Sequence, residues 1–127
     1  MRVTRDERGY SWWDCIYGIK PGQINVSVTF PKKIRGFHLH KEKEDNITVL
    51  EGQFLLVLGT EEGGAITWER RFMGPGDAYT IPRNIWHGYQ CVSPTPAKMM
   101  YYETEKSGPS CKDDYDLAFS NYDGWIT

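Results

Sequence analysis

The chain is short of charge bias, of cysteine, of long apolar runs and of histidine, and each shortage narrows what it can be. Its 15 Lys and Arg against 17 Asp and Glu give a formal net charge of −2, with the two signs interspersed. That leaves no basic surface for a polyanion and argues against a nucleic-acid partner. No apolar run approaches the length of a membrane span, and the N-terminal MRVTRDERGYSWWDC lacks the continuous apolar stretch of a secretory signal. A soluble, cytoplasmic protein with no membrane partner is the expectation. The three cysteines, Cys15, Cys91 and Cys111, are odd in number and show no C-x-x-C spacing. This speaks against a disulfide scaffold or a zinc ribbon and leaves buried or incidental thiols. Repeats, linkers and low-complexity tracts are also missing. At 127 residues the chain makes one domain, 1–127, with room for one core and not two.

A convincing helical period is absent as well; the period that is present is two. Ile24, Val26, Val28 and Phe30 alternate with Asn25, Ser27 and Thr29, the pattern of a half-buried strand that Pro31 ends. Apolar stretches at 47–50 and 54–58 flank Gly52, which marks a hairpin or a bend. Further strands are predicted at 66–72, 78–81, 85–92 and 97–103, with turns at Gly63-Gly64, Pro75-Gly76 and Pro94-Thr95-Pro96. Many short strands with frequent turns define an all-β sandwich or barrel.

All three histidines fall in two short segments. His38 and His40 are two apart in RGFHLH, so a strand aims both imidazoles at one face. His87 closes the run GDAYTIPRNIWHG, in which Gly76 is followed by five residues, Pro82, and Asn84 at a turn position. That spacing reads as strand, turn and returning strand, and aims His87 back at the other two. These segments resemble the two motifs of the cupin superfamily. In the first, H-x-H is followed after three or four residues by an acid and then a glycine, here Glu44 or Asp45 and Gly52. Lys32 replaces the usual leading glycine. The resemblance implies a double-stranded β-helix, or jelly-roll barrel, over about 22–104. A polar then aromatic tail, about 105–127, would dock through Tyr122, Trp125 and Ile126 on the barrel or on a second subunit.

PGQINVSVTFPKKIRGFHLH, IPRNIWHGY, PAKMMYYET and DDYDLAF together are similar to the sugar-nucleotide branch of the cupins. That branch holds the dTDP-4-dehydrorhamnose 3,5-epimerase-related proteins and the dTDP-4-keto-6-deoxyhexose 3,4-ketoisomerases. The resemblance implies a nucleotide-sugar substrate, proton transfer beside its ketone, and no cofactor. It makes His38 the base, with His40 sharing proton transfer as in the ketoisomerases, and puts Arg35 on the diphosphate. Where the epimerases carry a lysine near the enolate oxygen this chain has Asp45, and their acidic tyrosine falls at Lys106 or Ser107. Tyr101 or Tyr102 is the substitute donor. Arg83, Trp86 and His87 are further candidates for substrate contact. The stretch Lys41–Glu44 reads as a solvated charged loop, with Lys41 in reach of a phosphate. The alternative is a metal-dependent cupin, in which His38, His40, His87 and Asp45 (or Glu44) hold Mn, Fe, Ni or Zn; a barrel that binds sugar without turnover is a third reading. The strand edges of an open barrel and the YSWWD and YDGWI aromatics predict a homodimer.

Overall fold

Strict apolar–polar alternation and the absence of helix-length periodic segments leave strands as the way to satisfy the backbone, and strands are what form. The computed structural model describes residues 2–16, 22–104 and 115–127. Among them run β1 (Arg2–Asp6), β2 (Gly9–Trp13), β3 (Gln23–Thr29), β4 (Ile34–Leu39), β5 (Asp45–Glu51) and β6 (Phe54–Glu62). The remainder are β7 (Ala65–Met73), β8 (Ala78–Ile81), β9 (Trp86–Cys91), β10 (Ala97–Glu103) and β11 (Tyr115–Asp116), with a single 3-10 turn at Phe119–Asn121. They make two antiparallel sheets, β1-β2-β3-β10-β5-β8 and β11-β4-β9-β6-β7. Gly63 and Gly64, both at positive φ (58° and 82°), form the two-residue turn between β6 and β7. The sequence expectation missed β1 and β2, whose charged and aromatic residues lack a clean alternation.

The core lies between the sheets and is built from Ile47, Val49, Phe54, Leu56, Leu58, Met73, Ile81, Cys91, Ala97, Met99 and Tyr101. β6 is buried on both faces, which explains its unbroken apolar run from Phe54 to Leu58. Its second face, with Leu55 and Val57, packs with Phe37 and Trp68 under Leu117, Tyr122 and Trp125 of the C-terminal segment. Tyr122 and Trp125 pack on the chain's own barrel, while Ile126 is exposed. Gln90 fixes the last turn of that segment: its amide donates to the carbonyl of Ile126 (2.7 Å) and accepts from the Ile126 N–H (2.8 Å). Residues 105–114, which include Lys106, Ser107 and Cys111, lie outside the described residues.

β3 alternates as expected, but the half that is buried is the polar one. Gln23, Asn25, Ser27 and Thr29 face the interior and are buried, whereas Ile24 and Val26 are half-exposed on the outer face. Ser11 of β2, directly across from Ser27, joins the same inner wall. One wall of the barrel interior is thus lined with hydroxyls and amides rather than with hydrocarbon.

Candidate metal centre

Four donors meet at one end of the barrel: His38, His40, His87 and Asp45, whose ligand atoms all lie within 4.8 Å of one another. The imidazole centroids are 4.6 Å (His38–His40), 4.7 Å (His38–His87) and 5.0 Å (His40–His87) apart. His38 lies opposite His87 on the paired strands β4 and β9, and Asp45 opens β5 in the other sheet. The expected convergence is present, and Asp45 rather than Glu44 supplies the acid.

Two backbone devices bring these side chains together. In β4 the register shifts between Gly36 and His38, and this bulge lets Arg35 and His38 share the interior although they are three apart. Gly36 sits at φ 90°, and a Cβ there would lie 2.8 Å from the carbonyl oxygen of His87, so the bulge admits only glycine. In the turn before His87, Asn84 takes φ 66°, a conformation that asparagine tolerates. Its N–H donates to the carbonyl of His40 (2.7 Å), while Arg83 Nε donates to the carbonyl of Glu42 (2.6 Å). The two histidine-bearing segments are thereby stapled to each other. Arg83 itself is exposed.

Asp45 Oδ2 lies 3.1 Å from His87 Nε2 and 3.3 Å from His40 Nε2, and all three residues are buried. Its other oxygen, Oδ1, is buried with no hydrogen-bond partner among the described residues. Burial pushes the Asp45 carboxyl up, but the bonds to His40 and His87 and their charge outweigh it and hold the group far below the usual carboxylate range. His87 Nδ1 is 3.0 Å from the carbonyl of Ile85. A carbonyl only accepts, so Nδ1 carries the proton, and Nε2 facing the carboxylate must either be protonated too or give its lone pair to a cation. A backbone carbonyl on the far nitrogen, an orphaned carboxylate oxygen and a mixed N and O donor set all fit a divalent transition metal.

The other candidates are distributed differently. Arg35 is buried, donating from Nε to Thr29 Oγ1 (2.8 Å) and from Nη2 to the carbonyls of Val28 (3.0 Å) and Tyr10 (3.4 Å). No carboxylate among the described residues forms an ion pair with it. Tyr101 faces the interior, where burial, with Tyr89 and Glu103 nearby, raises its phenol well above the ordinary value. Tyr102 is on the opposite, outer face of β10. Trp86 likewise points away from His87, since neighbours in a strand alternate; it packs toward the C-terminal aromatic cluster and donates to Glu61 Oε1 (3.0 Å).

The charged loop is only partly solvated. Lys41 and Glu42 are exposed, and Lys41 Nζ sits 4.6 Å over the ring of Tyr115. Lys43, however, is fully buried and paired with Glu103 at 3.3 Å, and Glu103 is the register partner of Asp45. The signal for both was parity: Lys43 is two before Asp45, and Glu103 two after Tyr101, so each shares an inward face. A run of four charges masked it.

Two packed antiparallel sheets that close three histidines and a carboxylate around one point define a small β-barrel with a group able to hold a metal. The chain belongs to the cupin family: the Cupin domain model matches residues 26–102. It is similar to the spore coat polysaccharide biosynthesis protein SpsL of Bacillus subtilis, 25% identical over 110 residues, covering 79% of this chain and 70% of the relative. A probable low-salt glycan biosynthesis epimerase of Haloferax volcanii is 26% identical over 116 residues (82% of this chain, 74% of the relative). Acireductone dioxygenase of Macaca mulatta is 32% identical over 103 residues, covering 79% of this chain and 53% of the relative. Among solved structures, the capsular polysaccharide assembling protein CapF from Staphylococcus aureus superposes with TM-score 0.78 at 20% identity, over 91% of this chain and 34% of CapF. This chain spans about a third of CapF, and that likeness is one of fold. No helix among the described residues is long and apolar enough to cross a membrane.

Proposed function

We propose that the chain is a metal-holding cupin of glycan-precursor synthesis that moves a proton on the carbon beside the ketone of a nucleotide-linked keto sugar, as an epimerase or ketoisomerase. The observation that carries the metal is the clamp on His87: its Nδ1 proton is fixed on the Ile85 carbonyl while Nε2 faces the Asp45 carboxylate at 3.1 Å. The sugar reading draws on the polysaccharide and glycan roles named for two relatives and on the polar inner wall of β2 and β3. A bound divalent ion would polarise the sugar carbonyl and so acidify the adjacent C–H.

His40, His87 and Asp45 are the buried members of the set, with the carboxylate bonded to both rings, and they would hold the ion. His38 is only half-buried and would complete the coordination or take the substrate proton as general base. Tyr101, whose phenol burial keeps protonated at neutral pH, returns a proton. Arg35, a buried cation that forms no ion pair with a carboxylate among the described residues, suits the diphosphate.

Metal analysis of protein purified without added ions, together with solvent-deuterium exchange at C3 of dTDP-4-keto-6-deoxyglucose, tests this. The expected result is stoichiometric metal and enzyme-dependent exchange, with His38→Asn abolishing exchange while keeping most of the metal. Stoichiometric metal without exchange on any 4-keto sugar nucleotide refutes the sugar reading. It favours a metal-dependent cupin of another reaction class, as the similarity to a dioxygenase suggests.

A further inference from the structure

Two buried charges lie beside the metal centre and are not among its four donors. Lys43, in the connection between β4 and β5, is 0% exposed, and Glu103, at the end of β10, is 4% exposed. Lys43 Nζ lies 3.3 Å from Glu103 Oε2. A buried ion pair is often no more stabilising than apolar residues of similar volume, so stability alone gives no reason for this one. The connection is nevertheless built to keep Lys43 inward. On one side Arg83 Nε donates to the carbonyl of Glu42 (2.6 Å). On the other, the Glu44 N–H donates to Thr104 Oγ1 (3.0 Å) and the Thr104 N–H to the Glu44 carbonyl (3.2 Å), which ties the residue after Lys43 to the residue after Glu103.

Glu103 stands next to a metal donor. It is the register partner of Asp45 on the paired strands β10 and β5, and both residues are buried. Opposed residues of this kind have Cβ atoms about 4.5–5.5 Å apart, and like charges there repel. Asp45 Oδ2 is engaged with His87 (3.1 Å) and His40 (3.3 Å). Glu103 thus brings a second carboxylate, on a side chain one methylene longer, to the margin of the four-donor group. A divalent ion bound there attracts it. Lys43 offers it a fixed positive charge instead.

We propose that Lys43 is a positioning residue that keeps Glu103 out of the coordination sphere, so that Asp45 is the sole carboxylate on the ion and the donor set stays at three imidazoles and one oxygen. The consequence is ion choice. Imidazole suits Fe, Ni and Zn, whereas each added carboxylate shifts preference toward Mn. The Lys43–Glu103 pair therefore biases the site toward the nitrogen-preferring ions. This role rests on the reading of His38, His40, His87 and Asp45 as a metal centre and is independent of the substrate.

Competition titration of the chelator-stripped full chain with Mn and Ni gives the ratio of their dissociation constants. Lys43→Met should lower Kd(Mn)/Kd(Ni) roughly tenfold or more, because Glu103 joins the ion. Adding Glu103→Gln to Lys43→Met should restore the wild-type ratio, a rescue that a merely structural lysine would not give. Glu103→Gln alone should leave both constants within about threefold of wild type. Should Lys43→Met fail to fold, Lys43→Gln removes the charge while keeping a hydrogen-bond donor for Glu103, and should shift the ratio in the same direction. An unchanged ratio in the Lys43 variant, or a shift that Glu103→Gln does not reverse, overturns the role. So does a roughly tenfold loss of affinity in Glu103→Gln alone, which would make Glu103 a ligand already. Wild-type protein that binds none of Mn, Fe, Ni and Zn overturns the metal reading itself and this role with it, an outcome distinct from metal binding with an unchanged ratio.

Discussion

Asp45→Asn isolates the metal site with almost no change in shape. The carboxylate is the single anionic donor of the set and is bonded to two of its three imidazoles. At a metal concentration about 100 times Kd, binding to the folded state alone adds about 2.7 kcal/mol of stability. An unfolding entropy of about 2.1 cal/mol/K per residue over 127 residues comes to about 0.27 kcal/mol/K, so the wild-type melting midpoint should rise by about 10 °C. The amide is isosteric but neutral, and losing this donor should weaken affinity about 100-fold or more. At the same metal concentration the stabilisation then falls to about 0.4 kcal/mol, a shift below about 2 °C. Scanning calorimetry of chelator-stripped wild type and variant, each with and without Mn, Fe, Ni or Zn, reads the difference directly. Equal metal shifts in the two proteins, or no shift in wild type with any of the four, would show that these residues do not hold an ion.

Asp45 also sets an acid dependence. Its folded pKa lies far below the unfolded value near 3.9, so the stability it contributes is complete above that range and is lost as pH falls toward the folded value. In metal-free protein, the stability gap between wild type and Asp45→Asn should be flat above about pH 5 and shrink below about pH 4, as followed by urea titration. Gly36→Ala should disrupt the β4 bulge against the His87 carbonyl, cost about 2–3 kcal/mol and abolish metal binding, read by denaturation and metal analysis. Gln90→Ala removes the bonds to Ile126 and one to the Lys32 carbonyl. It should cost about 2–3 kcal/mol and speed amide exchange in residues 117–126, and unchanged exchange there would show that Gln90 does not hold the segment.

Much of the barrel was legible because strand parity and turn residues are local signals. The strands at 78–81 and 97–103 were placed residue for residue, and the spacing of His38, His40 and His87 foretold their convergence. What was hidden depended on neighbours. Trp86 looked like part of the mouth because it adjoins His87, yet adjacency in a strand means opposite faces. Lys43 read as solvated because its neighbours in sequence are charged, while its neighbour in space, Glu103, is 60 residues away. Which half of β3 would be buried could not be decided from alternation, which gives a period and not a direction.

The inverted β3 has a consequence for how the chain folds. A slip of one residue against β2 and β10 would turn Ile24, Val26 and Val28 inward and expel Asn25, Ser27 and Thr29. During collapse that wrong register buries more hydrocarbon than the right one, so the chain's own hydrophobic drive works against it. The native register is favoured instead by polar side-chain bonds made on the inward face. The Asp14 N–H and the Gln23 amide both donate to Asn25 Oδ1 (2.9 Å each), and Arg35 crosses from the other sheet to Thr29. β3 therefore relies on its polar bonds for alignment, and the same wall that gives the interior its hydrophilic lining makes a one-residue slip the register error its hydrophobic pattern favours.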